Sequence, residues 1–206
     1  MRRKDREVKD KNGIEEIIIQ CKTCHVSMVD DEGIPYIVPL SYGYKFLKDN
    51  TLELYFHSAL EGKKLDILKK NNKVGFAMSF EGEPLHPETP CNSGYYFASI
   101  IGHGEVIFIH DISEKCDALS IMFKHQTGKD FVFDSSHCEN ICVYKIVSTE
   151  FTGKKKPRPN VWFLEIAKME YLISFLNISY FFYFMCFQKP LNMINLKVIL
   201  TFMGGF

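Results

Sequence analysis

Between His57 and Lys64 the chain reads HSALEGKK, which gathers an imidazole, the Ser58 hydroxyl and the ammonium groups of Lys63 and Lys64 into one short stretch. If a helix begins here, its first turn adds backbone N–H groups without intrahelical partners, and such groups beside cationic side chains favour an anion such as phosphate. Leu60, Lys64, Leu65 and Leu68, with Lys63, Lys69 and Lys70 alongside, have the spacing of a helix of two to three turns. A solvated basic helix face would carry the same residues. His57 is the candidate for proton delivery, because an imidazole exchanges protons near neutral pH. A histidine packed at a strand end with one satisfied nitrogen is the alternative.

The elements that must position these groups are strands. Tyr36, Val38 and Leu40 alternate with Ile37, Pro39 and Ser41, and Leu52, Leu54 and Phe56 alternate with Glu53, Tyr55 and His57. Lys48, Asp49 and Asn50 supply the turn between them. Upstream, Asn12 and Glu15 suggest a capping box for a helix over residues 14–24, followed by a strand from Val26. Downstream, Val74, Phe76, Met78 and Phe80 alternate, 81–92 with three prolines reads as a loop, and 95–109 reads as a long strand bent at Gly102 and Gly104. A helix over 114–125 and a strand over 140–151 complete the set. Strands outnumber helices and no βαβ alternation occurs, so the expected architecture is a small antiparallel barrel with flanking helices.

The run 34–73, together with SIIGHGEVIFIHD at 99–111 and MFKHQTGKDF at 122–131, resembles the pyridoxamine 5'-phosphate oxidase-like flavin-binding split barrels. Within them it is most similar to the 5-nitroimidazole resistance (Nim) proteins. The similarity covers residues 1–159, which the resemblance makes one FMN-binding domain: mainly β, a six-stranded antiparallel split β-barrel with flanking helices. It implies a homodimer with FMN at the interface. The flavin ring would lie along the backbone of Ile37, Val38, Pro39, Leu40 and Ser41, and the phosphate would meet His57, Ser58, Ala59, Lys63 and Lys64. Ser99, Ile100 and Ile101 match the strand that faces the flavin from the partner side. Many relatives have an arginine and a hydroxyl where this chain has Gly62 and Glu61, so the phosphate grip is expected to be weaker or differently arranged. Pro39 can offer only its carbonyl.

Composition limits the alternatives. Lysine plus arginine equals aspartate plus glutamate at 25 each, so no global field draws nucleic acid or anionic lipid. The N-terminus MRRKDREVKDKN has no apolar core and does not read as a secretory signal, and the seven cysteines then read as reduced thiols in a cytosol. Cys21-Lys22-Thr23-Cys24-His25 spells a c-type haem attachment pattern, which needs an export route this N-terminus does not suggest. Cys138 and Cys142 would share one face of a strand without converging on Cys21 and Cys24, so no metal site is expected. Tyr95, Tyr96 and Phe97 read as barrel core or as the border of a substrate pocket. His125 reads as structural.

Residues 160–206 form a hydrophobic C-terminal extension of different character, with uncharged YLISFLNISYFFYFMCF at 171–187. Three readings stay open: a membrane anchor, a helix packed on the barrel or its dimer, and an A- and T-rich coding sequence read past the natural end. The expected function is an FMN-dependent oxidoreductase in the cytoplasm, taking electrons from a reduced nicotinamide or another donor to a small acceptor such as a nitroaromatic. The rival readings are a non-catalytic flavin- or haem-binding module and a pyridoxamine 5'-phosphate oxidase, the latter disfavoured because its basic C-terminal segment has no match before Pro159.

Overall fold

Period-two alternation marks the longer strands of this chain, and among the described residues the strands join a single antiparallel sheet. The structure, a computed structural model, describes residues 2–85 and 94–156. In chain order the elements are a 3-10 turn at Lys4–Arg6, β1 (Glu7–Val8), α1 (Lys11–Gln20), β2 (Thr23–Val29), β3 (Pro35–Ser41), β4 (Gly43–Phe46), β5 (Leu52–Ser58), α2 (Lys63–Lys70), β6 (Lys73–Leu85), β7 (Gly94–Ile109), α3 (Ile112–Thr127), α4 (Ser135–Cys138) and β8 (Cys142–Lys156). The sheet order is β3-β2-β6-β7-β8-β5-β4, with β1 paired to β8. The ladder does not close. Its two edges, β3 and β4, are nevertheless consecutive in the chain and separated only by Tyr42, so chain continuity spans the seam of a split barrel.

Tyr42 is fully buried at that seam, and its hydroxyl donates to the Cys21 carbonyl at 2.9 Å. Inside the barrel, Val26, Met28, Leu54, Phe56, Phe76 and Ile100 pack with Ile17 and Ile18 of α1 and with Leu65 and Leu68 of α2. Burying each such side chain is worth about 1.5–3 kcal/mol, so the two short helices are held by their apolar faces more than by propensity. A second cluster lies outside the sheet, where Ala118, Leu119 and Met122 of α3 and Cys138 of α4 cover Tyr55, Ile109 and Val143.

Gly43 lets α3 approach β4, because a Cβ there would stand 2.6 Å from the Met122 backbone. The far end of α3 is clamped as well. His125 Nε2 lies 3.0 Å from the Cys21 carbonyl, and the Gln126 amide donates to the Tyr42 carbonyl at 2.8 Å, so the structural role expected of His125 is observed.

Several boundaries differ from the sequence expectation. Among the described residues the sheet has eight strands where six are expected: β4 is too short to announce itself by alternation, and the two-residue β1 is held by its pairing with β8. Helix α1 starts earlier and ends earlier than 14–24, because the Asp10 carboxylate caps it by accepting from Gly13 N–H at 2.7 Å. Glu15, freed from any capping box, accepts instead from the Tyr44 hydroxyl at 3.0 Å. Strand β6 runs to Leu85, tolerating Pro84 where the pairing slips between Glu81 and Pro84. The expected bend of β7 is present as a register shift between His103 and Glu105. Cys138 sits in α4 and not on a strand with Cys142, since Asp134 caps a helical turn there. The extension 160–206 and most of the proline loop lie outside the described residues.

Candidate functional site

Helix α2 has no side-chain cap. Its N-cap is Gly62, held at φ 139°, a conformation L side chains rarely adopt. The Leu65 and Asp66 N–H groups bond back to the Gly62 carbonyl at 2.8 and 3.2 Å. The N–H groups of Lys63 and Lys64 have no partner among the described residues. Two open donors therefore stand at the positive end of a helix, with a lysine on each.

The two ammonium groups diverge. Lys63 leans toward the β2–β3 hairpin, 3.8 Å from the Asp30 carboxylate and 5.0 Å over the Tyr36 ring, with 61% of its side chain exposed. Lys64 leans the other way, 5.9 Å over the Tyr144 ring, and burial lowers its pKa from the ordinary lysine value. The Ser58 hydroxyl donates to the Ala59 carbonyl at 2.9 Å, a bond it must give up to donate to an anion. Two cations, open N–H groups and a hydroxyl near one helix end have the chemistry to take an anion.

His57 lies exposed one residue before Ser58, on the same side of β5 as Tyr55. Burial of its surroundings, and secondarily the Lys64 charge, hold its pKa below the ordinary histidine value. At neutral pH the ring is therefore mostly neutral.

Among the described residues strand β3 is a sheet edge bonded only to β2, which leaves part of its backbone N–H and C=O set open there. Val38 and Leu40 turn toward the core, while Ile37, Pro39 and Ser41 face out. The register carries this outer face across the sheet: Pro39 pairs with His25, His25 with Ala77, and Ala77 with Ile101. Ile37 is 60% exposed and Ile101 62% exposed. On β7, Ser99 is half-buried whereas Ile100 is fully buried in the core, so position 100 offers a neighbour only its backbone. Tyr95 is exposed, and Tyr96 and Phe97 are half-buried, so the three do not form a sealed core cluster.

The haem-like pattern is split by the fold. Cys21 and Cys24 are buried, and burial pushes their thiols up to about 11 and about 12, which leaves them protonated and inert. His25 points away from them onto the exposed face. Spacing did not point to Tyr144, whose buried hydroxyl finds no partner among the described residues while its ring stacks on Phe56 at 5.5 Å beneath Lys64. Only the pairing of Phe56 with Tyr144 across β5 and β8 brings that phenol to the site.

The family model for pyridoxamine 5'-phosphate oxidase matches residues 10–155. The chain belongs to the pyridoxamine 5'-phosphate oxidase family. A solved structure of a candidate 5-nitroimidazole antibiotic resistance protein from Bacteroides thetaiotaomicron is 35% identical, spans 72% of this chain and 85% of that one, and superposes with a TM-score of 0.62. The flavocytochrome Anf3 from Azotobacter vinelandii shares the fold at 16% identity, with a TM-score of 0.62 over 77% of this chain and 73% of its own. So does a FAD- and haem-binding protein from Mycobacterium smegmatis, at 14% identity and a TM-score of 0.61 over 75% and 76%. No curated protein matches this chain. Among the described residues no helix is long and apolar enough to cross a membrane.

Proposed function

We propose that this chain is an FMN-dependent oxidoreductase, active as a homodimer, that passes electrons from a reduced nicotinamide or another donor to a small nitroaromatic acceptor. The observation that carries the reading is the start of α2, without a side-chain cap and bearing Lys63 and Lys64, with Lys63 beside Asp30 of the β2–β3 turn and over Tyr36 of the edge strand β3. The 35% identity to a protein named for 5-nitroimidazole resistance supports that acceptor class.

Lys63, Lys64, their backbone N–H groups and Ser58 hold the phosphate. The backbone of Ile37 to Ser41 orients the ring, and Ser99 with the backbone of Ile100 approaches from the second copy. Bound flavin supplies the redox chemistry, accepting electrons from one substrate and giving them to the next. His57 exchanges a proton at the reacting edge, and the uncovered outer face bearing Ile37 and Ile101 is where the second copy sits.

The second reading is a flavin-binding module without turnover. The lowered pKa of His57 favours it, because little imidazolium is present at neutral pH to protonate an acceptor. One experiment separates the two. Protein loaded with FMN should be bleached by NAD(P)H or dithionite and should regain its colour when a 5-nitroimidazole is added without oxygen. Bleaching without recovery, over a range of nitroaromatics, would establish the binding module instead.

A further inference from the structure

The cysteines that draw the eye in the sequence, Cys21 and Cys24, are sealed in the core, but a different pair is in contact. Cys116 on α3 and Cys138 on α4 place their sulfurs 3.1 Å apart, although 22 residues separate them in the chain. Cys116 is half-buried, whereas Cys138 is fully buried. Beside them the Lys115 ammonium donates to the Cys138 and Ile141 carbonyls at 3.5 and 3.2 Å, which holds the α4 end against α3.

We propose that Cys116 and Cys138 are a reversible dithiol–disulfide site, oxidised by hydrogen peroxide, with Cys116 as the attacking sulfur and Cys138 as the resolving one. The two sulfurs need to close by only about 1 Å to reach bonding distance, and α4 is a single helical turn that can supply that movement. Burial, with the adjacent Cys116 sulfur, keeps the Cys138 thiol protonated, which leaves the half-buried Cys116 as the sulfur that peroxide meets first.

The chemistry balances. The Cys116 sulfur, as thiolate, attacks one peroxide oxygen; the O–O bond breaks, the departing hydroxide takes up the thiol proton as water, and Cys116 becomes a sulfenic acid. Cys138 then displaces the hydroxyl from that sulfur, its own proton leaving with it as a second water. Two thiols and one peroxide become one disulfide and two waters, with two electrons passing from sulfur to oxygen.

The consequence falls near the cofactor site without depending on it. Four residues after Cys138 the chain enters β8 at Cys142, which pairs with Ser58. A closed disulfide thus pins the segment that leads into the strand flanking the candidate phosphate grip.

The test uses the full-length reduced protein. It is exposed to hydrogen peroxide, its remaining thiols are capped with N-ethylmaleimide, and its peptides are mapped by mass spectrometry with and without dithiothreitol. The expected result is a Cys116–Cys138 cross-linked peptide, lighter by two hydrogens than the separate pair and abolished by dithiothreitol. In a Cys138→Ser variant, peroxide should instead leave Cys116 as a sulfenic acid that dimedone traps at least about tenfold more heavily than in the wild type. The proposal is overturned if wild-type Cys116 takes up dimedone as heavily as the variant. It is equally overturned if both thiols stay free under peroxide that oxidises an added small thiol.

Discussion

Successive residues of a helix are turned by about 100° from one another, which is why Lys63 and Lys64 can be neighbours in sequence and still reach toward different strands. A doubly charged phosphate between them would be held from both sides, and its field would offset the Lys64 charge, which adds to burial, the larger cause, in lowering the His57 pKa. FMN binding should therefore raise the His57 pKa toward its ordinary value. Between the lower free and higher bound values, the complex carries more proton on His57 than the free protein does. Apparent affinity thus gains from this residue as pH falls through that window, and the gain is absent well above it. Titration calorimetry at about pH 6 in buffers of different ionisation enthalpy should show more proton uptake for the wild type than for His57→Asn, the common contribution of the phosphate cancelling in the difference. Identical uptake would remove His57 from the site. The residues of this neighbourhood were legible from spacing, because imidazole, hydroxyl and lysines fall together in sequence. The divergence of the lysines and the orphan hydroxyl of Tyr144 were not, since both depend on which strand lies opposite.

Among the elements, α3 is the one whose position rests on a single missing side chain. An added methyl at Gly43 would meet the Met122 backbone, which cannot yield as a flexible side chain does. Gly43→Ala should cost about 1–3 kcal/mol in urea unfolding, and an unchanged midpoint would mean that α3 does not pack on β4 as described. The long strands announced themselves through alternation that the sheet then used: Leu54 and Phe56 inward, Tyr55 and Glu53 toward α3 or its edge. Strand β4 did not, because Tyr42 breaks the period between two segments that end at opposite edges of one sheet. Cys138 was misplaced for a local reason, the Asp134 cap, which turns the chain into a helix just before β8.

At the scale of the whole molecule, the proposed second copy would cover the outer face and the edge of β3 together. Ile101→Asp, which puts a charge on that face without touching the α2 phosphate grip, should shift the protein from dimer to monomer in light scattering. Its FMN affinity should fall at least about tenfold, or 1.4 kcal/mol. A wild-type monomer that binds FMN normally would refute the shared site. The central claim, that α2 and its lysines hold the phosphate of a flavin, is tested most directly by titrating the protein with FMN and with riboflavin, which lacks the phosphate. FMN should bind at least about a hundredfold more tightly, in keeping with charge-assisted hydrogen bonds of about 1.5–3 kcal/mol each, and a folded Lys63→Ala, Lys64→Ala variant should lose most of that preference. Equal affinity for the two flavins, or a preference untouched by removing both lysines, would contradict it.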